Sequence, residues 1–358
     1  MDQSRTPGVQ SFDCVELCVS NVHQAAHFFR TAFGFDVVQR AGPDTGSPDV
    51  ASLMLAEGGV RLVVTSGLGQ GRAADHVHRH GDSVSNIGLL VDDVTAAFTR
   101  AVKAGAAPVR EPERLVGRGG AMRRAIVGTP GDLVHALVER DGEAFLPDAA
   151  VVARPHAQGA PRFRGIDHLA IAVAPGDLDR WVDFYREAFG FELTHEEVTE
   201  TATSSMRSKV VENRSRTVKF PLLEPAPGKR RSQIQEFLSY HNGPGVQHLA
   251  LLCDDIDTAM RDLRSRGVEF LNVPDSYYES LPARLPEVDG DLAGLRELRL
   301  LMDRDEWGSL IQTFSKPVTG RPTLFVEVLE RRGARGFGGG NIRALFEAVE
   351  REQAVRSA

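Results

Sequence analysis

Residues 12 to 19, FDCVELCV, alternate as a half-buried strand does, and NVHQAAHFFRTAFGF follows with apolar positions at helical spacing and Gly34 as the stop. A Gly/Pro/Ser-rich loop covers 41 to 48. ASLML and VRLVVTS then read as two strands joined through Gly58 and Gly59, followed by a polar stretch to about residue 82. SNIGLLVDDVTAAFTRAVKAGAAPV gives strand, helix and a glycine stop, and AMRRAIVGTPGDLVHALVER gives two strands around a Pro-Gly turn. The pattern predicts a β-α-β-β-β unit followed by a second one.

Residues 143 to 163 are rich in Ala and Pro without sustained periodicity, which predicts a linker, and the pattern then starts again. IDHLAIAV at 166 matches FDCVELCV, WVDFYREAFGFEL matches AAHFFRTAFGFDV, and FVEVLER matches HALVER. GVQHLALLCDDIDTAMRDLRSRGVEFL likewise matches SVSNIGLLVDDVTAAFTRAVKAGAAPV. The chain is a tandem repeat of about 150 residues, so its halves should share one fold of α+β class. The expected division is a first domain over 1–145, a linker over 146–163 and a second domain over 164–358.

The repeat is its own control. His168, His248 and Glu327 in the second copy stand opposite Cys14, Asn86 and Ala136 in the first. A purely structural role would more often be filled alike in both copies, so the second copy should carry a function that the first lacks. Each of the three lies in a strand-like run, and Glu327 interrupts the apolar TLFVEVLE. A buried carboxylate needs a cationic partner. Two imidazoles and one carboxylate on a single face make the facial triad of non-haem Fe(II) oxygenases, with coordination positions left open. A lone strand histidine is more often a satisfied structural residue, and zinc or cobalt would fit the same ligands, although closed zinc sites prefer four ligands with Cys. The HVHRH run at 76 to 80 competes by count but has no carboxylate in an apolar strand beside it, and reads as a solvated polar segment.

Composition narrows the partners. With 42% hydrophobic and 25% charged residues the 358-residue chain reads as an ordinary soluble one, long enough for two domains. A net charge of −7 argues against nucleic acid or an anionic membrane as partner. MDQSRTPGVQ has no signal-peptide core, and no apolar run reaches the roughly 18 residues of a membrane span. Cys14, Cys18 and Cys253 form no CxxC pair, which fits a reducing, cytoplasmic setting.

Longer motifs carry a resemblance. SQIQEFLSYHNGPGVQHLAL, VPDSYYESL, LLMDRDEWGSLIQTFSKPVTGRPTLFVEVLERRG and GFGGGNIRALFEAVEREQ resemble the 4-hydroxyphenylpyruvate dioxygenase family, which includes 4-hydroxymandelate synthase. The resemblance implies the vicinal oxygen chelate fold, with tandem βαβββ modules forming two open β-barrel-like domains, and a capping helix over 337–353. It implies Fe(II) on His168, His248 and Glu327, and a small aryl 2-oxo acid and O2 as reactants. Its substrate pocket would include Ser208, Gln233, Gln247 and Gln312, the aromatic Phe314, Phe325 and Phe337, and Asn341 of the capping helix. A homo-oligomer, dimer or tetramer, is implied as well. The homogentisate-forming branch usually has Asn where this chain has Leu223 and Phe where it has Ile342, which points to 4-hydroxymandelate as product. Pro221 and the TGRPT run resemble the homogentisate-forming dioxygenase instead. Ligand-sequestering modules share the fold, but the intact triad in one copy disfavours that reading.

Overall fold

The computed structural model describes residues 8–117, 120–142, 146, 149–152, 161–285 and 292–356. The first unit runs β1 (Val9–Cys18), α1 (Val22–Phe33), β2 (Asp36–Ala41), β3 (Val50–Glu57) and β4 (Val60–Gly67). After α2 (Arg72–His80) comes the second unit, β5 (Ser83–Val91), α3 (Val94–Lys103), β6 (Pro108–Gly117), β7 (Gly120–Gly128) and β8 (Val134–Asp141), and then a short β9 (Ala150–Val151). The third unit is β10 (Gly165–Ala172), α4 (Leu178–Phe189), β11 (Glu192–Glu200), β12 (Ser205–Glu212) and β13 (Lys219–Ala226), followed by α5 (Gln233–His241). The fourth is β14 (Gly245–Leu252), α6 (Ile256–Ser265), α7 (Asp275–Arg284), α8 (Leu292–Glu297), β15 (Leu301–Arg304), β16 (Ser309–Phe314) and β17 (Phe325–Arg332), closed by α9 (Gly339–Arg356).

Each half is one curled sheet. The orders are β6-β7-β8-β5-β1-β4-β3-β2-β9 and β11-β12-β13-β10-β14-β17-β16-β15. Two units join through their first strands, β1 with β5 and β10 with β14, both antiparallel, so each half has an approximate internal dyad. The repeated local signals do the same work twice. Gly34 and Gly190 end α1 and α4 at φ 77 and 69, the left-handed conformation that costs glycine least. Asp93 and Asp255 cap α3 and α6 by accepting from the backbone N–H three residues on.

Helices α1, α3, α4 and α6 pack on the sheets through one apolar core that runs through both halves, whereas α5 and α9 pack on the inner face of the second sheet. Tyr185 and Phe191 meet Phe220 in that core with Phe189 against both, and His135 of the first half stacks on Phe220 at 5.3 Å while its Nε2 lies 3.0 Å from the Tyr185 hydroxyl. Burying each such ring stabilises the fold by about 2 kcal/mol, which favours docking the halves on each other. The inner face of the second sheet is left to form a cavity. Ala150–Val151, inside the stretch read as a linker, pairs with β2, and residues 153–160 of that stretch lie outside the described residues.

Three elements differ from the sequence reading. The polar stretch before residue 82 is α2, and its HVHRH run is not solvated, because His76 and His80 are each only 3% exposed. They lie with Ala73 on the helix face that meets α5. The edge strand β6 is absent from the sequence reading. The capping helix starts at Gly339, so Phe337 belongs to the segment before it. Among the described residues no helix is long and apolar enough to cross a membrane.

Candidate metal centre and substrate cavity

Strand register brings the three candidate ligands together. Ala250 of β14 pairs with His168 of β10 on one side and with Glu327 of β17 on the other, and His248 lies two residues along β14 on the same inner face. Ala250, fully buried, is small enough to leave the space between them open. His168 Nε2 is 3.2 Å from Glu327 Oε2 and 3.3 Å from His248 Nε2, and His248 Nε2 is 3.5 Å from Glu327 Oε2. In the first sheet the same register joins Cys14, Gly88 and Ala136, with Asn86 two residues before Gly88. Asn86 there donates to Glu16, at 3.2 Å, and accepts from the Ala136 N–H, at 3.0 Å.

The bulges beside both histidines are functional in form. The β10–β14 pairing skips Asp167, between Ile166 and His168, and Gln247, between Val246 and His248. An extra residue in a bulge turns adjacent side chains toward one side. Asp167 Oδ1 thus lies 2.8 Å from His168 Nδ1, and Gln247 Oε1 lies 3.2 Å from His248 Nδ1. Each acceptor can hold a proton on Nδ1, which would direct Nε2 toward a cation shared with its counterpart. Phe325 stacks on His248 at 5.0 Å and Phe337 stands edge-on to His168 at 5.1 Å.

Electrostatics agree with a cation-binding trio. Burial alone would lower the pKa of His168, but the Glu327 carboxylate and the Asp167 hydrogen bond hold it above the ordinary histidine value. Burial, and then the charge of His168, push His248 far below it. Burial of Asp167 is outweighed by the Arg331 guanidinium, which keeps its carboxylate ionised. Among the described residues, His168, His248 and Glu327 are the one group of three or more that could hold a metal ion. Their three donors lie 3.2 to 3.5 Å apart, slightly wider than the edge of roughly 3.0–3.1 Å that an octahedral face with bonds of about 2.1–2.2 Å would have, so a small inward shift would close the set on one cation.

The trio opens into a cavity lined by strands β10–β14, β16 and β17 and by helices α5 and α9. Ser208 of β12, Gln233 of α5, Gln247 and Gln312 supply its polar wall. Leu223 of β13, Phe314 of β16, Phe337 and Ile342 of α9 supply the apolar one. Gln233 Oε1 is buried without a hydrogen-bond partner among the described residues, an acceptor open to a ligand O–H. Two residues expected in the pocket stand outside this lining. Phe325 lies behind His248, and the fully buried Asn341 lies within 3.1 Å of the Tyr277 hydroxyl. Pro221, already noted in the sequence, lines the cavity too, as do His195, Met206, Val210 and Leu345, which only their alternation along β11 and β12 and their place on α9 could have flagged.

Fold and site together define a metal-binding member of a family of paired βαβββ modules. The model of the Glyoxalase/Bleomycin resistance protein/Dioxygenase superfamily matches residues 11–133 and 165–285, one match per half. A 4-hydroxyphenylpyruvate dioxygenase of Yarrowia lipolytica is 38% identical over 367 aligned positions, covering 97% of this chain and 93% of that protein. The enzyme of the same name from Danio rerio is 38% identical and covers 97% and 91%. The structure of a mutant 4-hydroxymandelate synthase from Streptomyces coelicolor superposes with a TM-score of 0.88 at 38% identity, covering 97% of this chain and all of that one. The chain belongs to this superfamily and, within it, to the family of 4-hydroxyphenylpyruvate dioxygenase and 4-hydroxymandelate synthase, non-haem iron oxygenases.

Proposed function

We propose that this chain is an Fe(II)-dependent, dioxygen-using, decarboxylating oxygenase that converts 4-hydroxyphenylpyruvate into 4-hydroxymandelate and carbon dioxide. The observation that carries the proposal is the His168–His248–Glu327 face opening onto a cavity walled by neutral amides and aromatic rings. His168, His248 and Glu327 would hold iron, which would supply the redox chemistry for activating dioxygen, with the substrate's own electrons completing the reduction. One oxygen atom would enter the carboxylate left by decarboxylation and the other the benzylic C–H.

The chain's own residues hold the reactant. Phe314 and Phe337 flank the space beside the ligands and would sandwich the aryl ring, excluding water. The unpaired Gln233 Oε1 would accept the phenol O–H, and Gln312 and Ser208 offer further neutral hydrogen bonds that add no charge beside the metal. Leu223 and Ile342 pack in one apolar cluster with Met206 and Phe346, and this wall would decide which carbon faces the metal. The first half, with Cys14, Asn86 and Ala136, would be structural. A dimer or tetramer in the cytoplasm completes the reading, supported by the family and by three free, buried cysteines.

Homogentisate, formed by ring hydroxylation and side-chain migration, is the second reading. It is favoured by Pro221 in the cavity wall and by the names of the fungal and vertebrate relatives. The deciding experiment loads the protein with Fe(II) and 4-hydroxyphenylpyruvate without air, admits oxygen, and separates the products. The two acids are isomers, so the proton spectrum decides. A benzylic CH–OH signal supports the synthase, whereas a CH2 beside a dihydroxylated ring overturns it in favour of the dioxygenase.

A further inference from the structure

Asp167 does more than accept one proton from His168. Arg331, partly buried, donates to its carboxylate through Nε and Nη2, at 2.7 and 2.8 Å, and the buried Lys219 approaches through Nζ to 3.1 Å of the buried Asp167. The first half repeats the construction. Asp13 occupies the bulge between Phe12 and Cys14, Arg140 donates to it through Nε and Nη2, both at 2.6 Å, and Arg61 stands 3.7 Å away. Arg140 lies four residues beyond Ala136, as Arg331 lies four beyond Glu327. An acid clamped by two cations is therefore a feature of each sheet, with or without a metal site.

The second clamp is joined to the candidate ligands in two ways. Its carboxylate also receives His168 Nδ1, where the first half has only Cys14. Its arginine reaches onward to the segment before α9, donating to Gly336 O at 2.6 Å and Ala334 O at 3.4 Å, with its guanidinium 5.5 Å over the Phe337 ring. Since Phe337 stands edge-on to His168, the contacts close a circuit from metal ligand to acid, arginine, lid segment and back. Resting on the metal reading above, we infer that Asp167 and Arg331 are positioning residues. Asp167 aims His168 Nε2 at the metal, and Arg331 holds Phe337 over that ligand, so that the wall of the cavity and the metal geometry are set together.

The two clamps supply the test. Co(II) is titrated into the metal-free protein, its ligand-field absorption gives affinity and geometry, and amide exchange is followed over residues 334–342. Asp167→Asn is expected to weaken Co(II) binding by about 10- to 100-fold and to alter the spectrum. Asp13→Asn, which breaks the equivalent clamp away from any ligand, should lower stability while leaving Co(II) affinity within about 2-fold of wild type. Arg331→Lys should speed exchange over 334–342 while weakening Co(II) less than Asp167→Asn does. If Asp167→Asn fails to fold, the charge-balanced Asp167→Asn/Lys219→Met variant replaces it. Equal Co(II) affinity in the Asp167 and Asp13 variants overturns the inference, as does unchanged exchange in Arg331→Lys. A wild-type protein that binds no Co(II) overturns the metal reading itself.

Discussion

His168 and Glu327 face each other across Ala250, with Nε2 and Oε2 3.2 Å apart and both side chains buried. A carboxylate that close to an imidazole in an apolar sheet is stable only around a shared proton or cation. His168→Ala and His248→Ala should each lower metal affinity by more than about 100-fold, beyond the effect of an orienting neighbour, and abolish oxygen uptake. Metal content after dialysis and an oxygen electrode give both readouts. Full activity in either variant would remove the triad from the mechanism.

Leu223 lies across from Ser208 in the β12–β13 register, and Ile342 descends onto the same apolar cluster from α9. Leu223→Asn places an amide where the wall is apolar, and Ile342→Phe thickens the lid. Together they are expected to shift product from 4-hydroxymandelate toward homogentisate by at least about 10-fold in ratio, equivalent to about 1.4 kcal/mol between two competing carbons. An active double variant with an unchanged ratio would show that these side chains do not steer the oxygen.

Much of this was legible in the sequence because the repeated elements obey simple periods. Alternation found the strands, and Gly34 and Gly190 marked helix ends by a conformation other residues avoid. The difference between the copies singled out His168, His248 and Glu327. The bulges were not legible, because strict alternation sends Asp167 and His168 to opposite faces, whereas the register slip turns them together. The helix α2 escaped because histidines carry its buried face, Ala73, His76 and His80, so its apolar stripe is missing. The strand β6 escaped because PVREPERLVG is a charged, exposed edge with no face to bury. Phe325 and Asn341 can be placed only with coordinates, since a strand sequence does not say whether a ring lines a cavity or supports the ligand beside it.

Asp303 holds the first turn of α9, its Oδ2 accepting from Gly340 N–H at 2.8 Å and Asn341 N–H at 3.3 Å. Asp305 does the same for the segment before it, accepting from Arg335 and Gly336 N–H at 2.7 Å. Asp303→Ala removes an acceptor from a helix N-terminus and should cost about 1 kcal/mol locally. The expected result is faster amide exchange over α9 and a raised KM, with Co(II) affinity unchanged because no ligand is touched. An unaltered exchange pattern would mean that packing of Leu345 and Phe346 alone seats the helix.

The junction of α2 with α5 should make the protein acid-sensitive. His80 stacks on His241 with ring centroids 4.5 Å apart, and His76 lies tilted against His80 at 4.7 Å. His76 Nε2 is bonded to Ser83 at 2.9 Å, and His80 donates to His241 O at 2.7 Å while its Nε2 meets Asp132 at 2.8 Å. Burial and then the neighbouring histidines push His76 down to about 3, and burial and then His80 push His241 down to about 4, with Arg72 and Arg321 adding to the effect and Asp132 opposing it. Both therefore stay neutral in the folded chain while the unfolded chain takes up protons near the ordinary value of 6.5. Folding stability is then full above about pH 6.5, falls as the pH drops toward 4, and levels off below the folded values. At pH 5 the loss is about 2 kcal/mol for each of the two histidines. His76→Gln and His241→Asn, which keep the side-chain hydrogen bonds but cannot titrate, should flatten the fall of Tm between pH 7 and 5. Parallel Tm curves for wild type and both variants would place the acid sensitivity elsewhere, with the equally buried His135 of the domain interface next to be tested.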